Sequence, residues 1–171
     1  MITALSPGTH STVMLSNDIV AQYMRADYEH RDVDQYATGE DIYAPVQVDL
    51  SWSCVGDPLY YNIKVAKDNA FTEPIKFVTD IPSITLENLQ VATTYYWQVS
   101  ARYDSRIVKS EIFSFSTAAS QPRTVYVQGV SNTRDLGGWM TESGKRVRQG
   151  LLYRGGKLDD VTETGIKQIT A

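Results

Sequence analysis

The chain has 171 residues, room for one ordinary domain or two small ones, and its 16 Lys and Arg against 20 Asp and Glu leave a net charge of −4. That mild acidity argues against bulk nucleic-acid or membrane-surface binding, while 42% apolar and 11% aromatic residues describe a chain able to bury a core. One cysteine, Cys54, excludes an intrachain disulfide and a four-cysteine zinc site, and two histidines, His10 and His30, leave little for metal or acid–base chemistry, so neither metal nor cofactor is expected.

No run of 18 apolar residues occurs, so no membrane span is expected, and Met1 to Leu15 lacks the basic start and apolar stretch of a signal peptide. Charge divides the chain. Residues 1–118 carry fifteen acids and eight bases, whereas residues 119–171 carry five acids and eight bases. The small, polar stretch ending in Pro122 reads as a linker over 119–123 between residues 1–118 and residues 124–171.

Ser11 to Leu15 is a candidate first strand. Asn17 can then cap a helical insertion over about residues 17–30, with Ile19, Val20, Tyr23, Met24 and Tyr28 on one face. The acidic run Asp27 to Asp34 lacks the glycine and closing glutamate of a calcium loop and reads, with His30, as a solvated helix end. From Val46 the residues alternate: Val46, Val48, Leu50, Trp52 and Cys54 face one way, and Gln47, Asp49, Ser51 and Ser53 the other. After the Gly56-Asp57-Pro58 turn, Tyr61, Ile63 and Val65 alternate in the same way. Ile75 to Val78 and Ile84 to Leu86 are shorter strands. Tyr95 to Tyr103 alternates over nine positions, with Phe113 and Phe115 beyond. Short strands separated by turn residues favour an antiparallel sandwich over a parallel sheet, and Cys54, on an apolar face, is expected to be buried and inert.

Over residues 41–118 this pattern resembles the fibronectin type III domain. The resemblance rests on Trp52 in the second strand and on Leu89 followed six residues later by Tyr95. It implies an immunoglobulin-like sandwich in which the Tyr95 ring enters the core at a corner, and it points to the cell exterior or surface. The missing export signal leaves the compartment open.

Beyond the linker, Thr124 to Val130 reads as a strand running into Ser131-Asn132-Thr133-Arg134-Asp135-Leu136-Gly137-Gly138. Gly144, Val147, Gly150 and Tyr153-Arg154 follow, and Thr162 can cap a helix that contains Gly165. These residues resemble the opening of the bacterial protein tyrosine/serine phosphatase family, whose members begin with Asn-x-Arg-Asp-Leu-Gly-Gly. The likeness covers only the first third or less of a catalytic domain, so an incomplete α/β phosphatase segment is expected after the sandwich. Such enzymes attack phosphorus with a thiolate, form a phosphocysteine, and stabilise the charge with backbone N–H groups and an Arg fork. The string that supplies this, His-Cys, five residues, then Arg, does not occur, and Cys54 is the one thiol. The resemblance therefore implies a nucleophile beyond this chain, an inactive polypeptide as given, and a phosphorylated protein or other phosphomonoester as the parent protein's substrate.

By the same resemblance Asn132, Arg134, Asp135, Gly137, Gly138 and Arg154 would support the phosphate site. The alternative is that Arg134 and Asp135 pair locally to fix the Gly137-Gly138 turn. Gly155-Gly156-Lys157 lacks the spacing of a nucleotide loop. A second functional reading makes the chain a non-catalytic, fibronectin type III-like module that recognises a protein or glycan. An incomplete C-terminal segment also leaves room for self-association.

Overall fold

The computed structural model describes residues 1–17, 19, 45–119 and 122–170. The expected helix over 17–30 and the acidic run at 27–34 lie outside them, apart from residues 17 and 19. The described residues form mainly β-structure with antiparallel and mixed sheets and one short helix. None of their helices is long and apolar enough to cross a membrane.

Two compact units are present. The first comprises Met1–Val13, Val48–Leu86 and Ala92–Thr117; the second takes in Glu87–Val91 together with the described residues of 14–47 and 118–171.

The first unit contains nine strands. One sheet joins β1 (Ile2–Ser6), β3 (Val48–Cys54) and β6 (Ser83–Leu86) in the order β1-β3-β6. The other joins β2 (Ser11–Val13), β9 (Phe113–Thr117), β7 (Thr94–Arg102), β4 (Tyr60–Ala66) and β5 (Ile75–Thr79) in that order, and β8 (Ile107–Lys109) pairs with β7. The pleat sends alternate side chains inward. Val48, Leu50 and Trp52 of β3, Tyr61, Ile63 and Val65 of β4, and Tyr95, Trp97, Val99 and Ala101 of β7 are all buried. Trp52 bridges the two sheets, with its ring 5.2 Å from Tyr61 edge-on and 6.3 Å from Trp97, while Tyr95 stacks on Phe115 at 5.6 Å. Between β8 and β9 the ladder breaks at Ser110, whose hydroxyl accepts from the Val99 N–H at 3.0 Å and donates to the Glu111 carbonyl at 2.6 Å.

Three differences from the sequence expectations have physical causes. Ile2–Ser6 is a strand that the alternation does not announce, because within it only Ile2 is a large buried side chain. The expected first strand at Ser11–Leu15 is Ser11–Val13, and it pairs parallel to β9 with Ser11 opposite Phe115. Cys54 ends β3 half-buried, because the backbone turns away at Gly56, and its thiol lies 3.3 Å from the Tyr103 hydroxyl.

The described residues of the second unit form two-residue strands, turns and one short helix. β10 (Arg123–Thr124), β11 (Arg134–Asp135) and β12 (Tyr153–Arg154) form an antiparallel sheet in that order, and α1 (Glu163–Thr170) follows. The strand expected over Thr124–Val130 is confined to its first residue. The chain turns back at Gln128–Gly129, with Gly129 at φ +85° and the Val130 N–H donating to the Val127 carbonyl at 3.0 Å. That turn folds Val125, Val127 and Val130 into a small apolar cluster against Tyr153 and Val161. Thr162 caps α1, its hydroxyl accepting from the Gly165 N–H at 3.0 Å.

Candidate functional site

The site is organised by the two faces of the β10-β11-β12 sheet. Asp135 lies opposite both Arg123 and Tyr153, and Arg134 lies opposite both Thr124 and Arg154. Neighbours along a strand point to opposite faces, so one face carries Arg123, Asp135 and Tyr153 and the other carries Thr124, Arg134 and Arg154.

The first face is buried and polar. Asp135 is 2% exposed and Arg123 6%. The Asp135 carboxylate accepts from the Arg123 guanidinium at 2.5 Å and the Gly150 N–H at 2.6 Å, both on Oδ2, and from the Gly137 N–H at 2.8 Å on Oδ1. Arg123 in turn donates Nε to the Leu89 carbonyl at 2.9 Å and Nη2 to the Asn88 carbonyl at 2.6 Å. A buried charge is tolerated only when paired and hydrogen-bonded, and this pair satisfies both conditions while joining three separate stretches of chain.

Residues 87–91 are tied in twice more. The Asn88 carboxamide donates to the Tyr126 carbonyl at 2.9 Å and accepts from the Tyr126 N–H at 2.6 Å. The Gln149 carboxamide makes the same reciprocal pair with the Val91 backbone, at 2.8 and 3.0 Å. Gly137 and Gly138 serve this packing. A Cβ on Gly137 would run into the Arg148 carbonyl, and one on Gly138, whose φ is +91°, would lie 2.7 Å from a Val91 methyl. Arg146 donates to the Gly138 carbonyl from outside the sheet.

The second face holds the cations. Arg134 is half-buried and donates from Nε and Nη2 to the Asn132 carboxamide oxygen at 3.1 and 2.7 Å, while Arg154 is exposed. Directly opposed residues of an antiparallel pair hold their Cβ atoms about 5 Å apart, so two arginine side chains leave the same face from neighbouring positions. Like charges so placed repel, and an anion between them relieves the repulsion; a tetrahedral oxyanion suits the planar Arg fork. Beyond the strands Ser131 and Gly156 stay joined, the Gly156 N–H donating to the Ser131 carbonyl at 2.9 Å. Next to them Tyr126, Ser131, Lys157 and Asp160 line an open cleft of about 570 Å³.

Of the residues singled out from sequence, Asn132, Arg134 and Arg154 fall on or beside the cationic face, whereas Asp135, Gly137 and Gly138 belong to the buried scaffold behind it. The ion partner of Asp135 is Arg123, because Arg134 points to the opposite face. Arg123, Asn88 and Gln149 carry no motif. The one signal for Arg123 is strand parity, which denies Asp135 its sequence neighbour as a partner. Among the described residues no three His, Cys, Asp or Glu side chains come together to hold a metal ion.

Residues 125–171 match the model of the tyrosine phosphatase family. No curated protein matches the chain. Among solved structures, the chain is similar to an Fn3-like protein from Clostridium thermocellum, at 20% identity over 42% of this chain and 76% of that one, with a TM-score of 0.35.

Proposed function

We propose that the second unit is the phosphate-recognising opening of a tyrosine phosphatase-type domain that hydrolyses phosphate monoesters, phosphorylated proteins among them, through a cysteine thiolate. The observation that carries this reading is the register of Arg134 opposite Arg154, and the family match over the same residues supports it. The thiolate would come from residues other than these 171. Cys54 sits at the end of β3 against the Tyr103 hydroxyl, and no His-Cys-x5-Arg string is present. The first unit is read as a fibronectin type III-like sandwich, on the strength of its sheet orders and of Trp52 and Tyr95 in its core.

Titration of inorganic phosphate into the full chain, followed by amide shifts, tests the reading. Saturable binding with a Kd on the order of 1 mM, corresponding to about −4 kcal/mol, is expected at Arg134 and Arg154. It should weaken at least about tenfold in Arg134→Met or Arg154→Met, the loss of one charge-assisted contact, and be untouched in Arg106→Met. Phosphate that fails to saturate, or binds the Arg134 and Arg154 variants normally, refutes the assignment. The purified chain should not hydrolyse an aryl phosphate; hydrolysis abolished by Cys54→Ser would overturn that expectation.

A second reading, a binding module in which the sandwich recognises a protein, draws on the edge strand β5, where Ile75 and Val78 are both exposed. An edge with unpaired backbone groups and apolar side chains can accept an added strand.

A further inference from the structure

We infer that Asn88 and Arg123 are positioning residues for the Arg134–Arg154 pair, so that the Glu87–Val91 segment and phosphate bound at that pair are energetically coupled. This rests on the phosphate reading above and extends it to residues outside the phosphatase-like segment. The connection is continuous and polar at every step. Asn88 clamps the Tyr126 backbone, the Asn88 and Leu89 carbonyls hold the Arg123 guanidinium, and Arg123 holds Asp135. Asp135 then fixes the strand that carries Arg134, and through Gly137 and Gly150 it fixes the loops on either side of the path to Arg154.

The spacing of the two backbone positions from which Arg134 and Arg154 project is set by the ladder from β11 to β12, which is two residue pairs long. So short a ladder is marginal on its own, and the buried carboxylate behind it supplies the missing rigidity. Loosening residues 87–91 would cost the ion pair two of its carbonyl partners and let the pair of cations spread. Coupling of this kind is reciprocal: if the segment tightens phosphate binding, phosphate tightens the segment.

Asn88→Gly in the full chain provides the test. Asn88 has φ +58°, which glycine adopts without strain, so the substitution deletes the carboxamide and keeps the backbone path. Inorganic phosphate should bind this variant about three- to tenfold more weakly, in the range seen for residues that act along a contact network. Asn88→Asp, which keeps the acceptor for the Tyr126 N–H, should recover part of the loss. Arg123→Lys, which keeps the charge beside Asp135 without the fork to both carbonyls, should weaken phosphate as well. In the unaltered chain, saturating phosphate should slow hydrogen exchange at the Val91 and Tyr126 amides, leave the Val99 amide unchanged, and have no effect in the Arg134→Met/Arg154→Met double variant.

Normal phosphate binding by Asn88→Gly and Arg123→Lys, with Val91 and Tyr126 exchange indifferent to phosphate, overturns the coupling and leaves the phosphate site standing. Failure of the unaltered chain to bind phosphate removes both.

Discussion

The two units reach order by opposite routes. In the first, long ladders hold a core of Trp52, Trp97, Phe115, Leu50 and Ile63, each at or near complete burial, and the side chains need little more than shape and apolarity. In the second, strands of two residues are held by a buried ion pair and by carboxamides that grip backbone from a distance in sequence: Asn88 on Tyr126, Gln149 on Val91. Non-directional burial tolerates substitution by volume, whereas a directional polar network fails when one member is removed. In the polar unit small displacements reach charged groups.

The sharpest way to break this comparison is Asp135→Ala. It leaves the Arg123 guanidinium buried without its carboxylate and should cost about 3–5 kcal/mol of local stability, read as faster hydrogen exchange at the Gly137 and Gly150 amides with the β7 amides unaffected. Loss of protection across both units together would show that the polar network also holds the sandwich. Leu50→Ala is the converse experiment. It should cost about 2–5 kcal/mol, appearing first in the exchange of β3 and β6, and protection that falls first at Gly137 would reverse the division of labour.

A smaller effect is expected at the helix. Thr162→Ala removes the cap on the Gly165 N–H and its hydrogen bond to the Gln128 carboxamide, a loss of about 1 kcal/mol confined to residues 163–170. The smallest is an alkaline one. Burial pushes the Tyr61 phenol above its usual value of 10, and a hydrogen bond with Cys54 does the same for Tyr103. A phenol whose folded value is raised contributes stability that is complete below the unfolded value and lost as pH climbs through the folded one. The denaturant midpoint of the sandwich should therefore hold up to about pH 10 and fall above it, in step with tyrosinate absorbance. Tyr61→Phe should flatten the fall.

The same contrast explains what was legible in the sequence. Val48, Leu50 and Trp52, and Tyr95 to Ala101, announce their strands because a half-buried strand writes its period of two into every second residue. β1 does not, since Ile2 is its one large buried residue and Leu5 is exposed. In the second unit the Asn-x-Arg-Asp-Leu-Gly-Gly string coincides with β11 and the glycine turn after it, and the cap at Thr162 is readable three residues ahead of Gly165. The partnership of Asp135 with Arg123 is not readable, because it depends on register, and the dependence on Asn88 involves a residue with no periodic signature 38 positions from the backbone it grips. Strand-borne apolar order leaves a local trace, whereas a polar contact between distant residues leaves at most the strand parity that rules out a sequence neighbour.

The parallel pairing of Ser11–Val13 with Phe115–Thr117 also has a mechanical consequence. Tension applied on the N-terminal side of Ser11 and the C-terminal side of Thr117 pulls these neighbours in opposite directions along their length. The hydrogen bonds between them then bear the load together in shear, where an antiparallel hairpin pulled from its open end would unzip one bond at a time. Resistance to stretching is governed by the unfolding rate rather than by equilibrium stability, so three residues that contribute little to the core can set the force at which this edge of the sandwich yields.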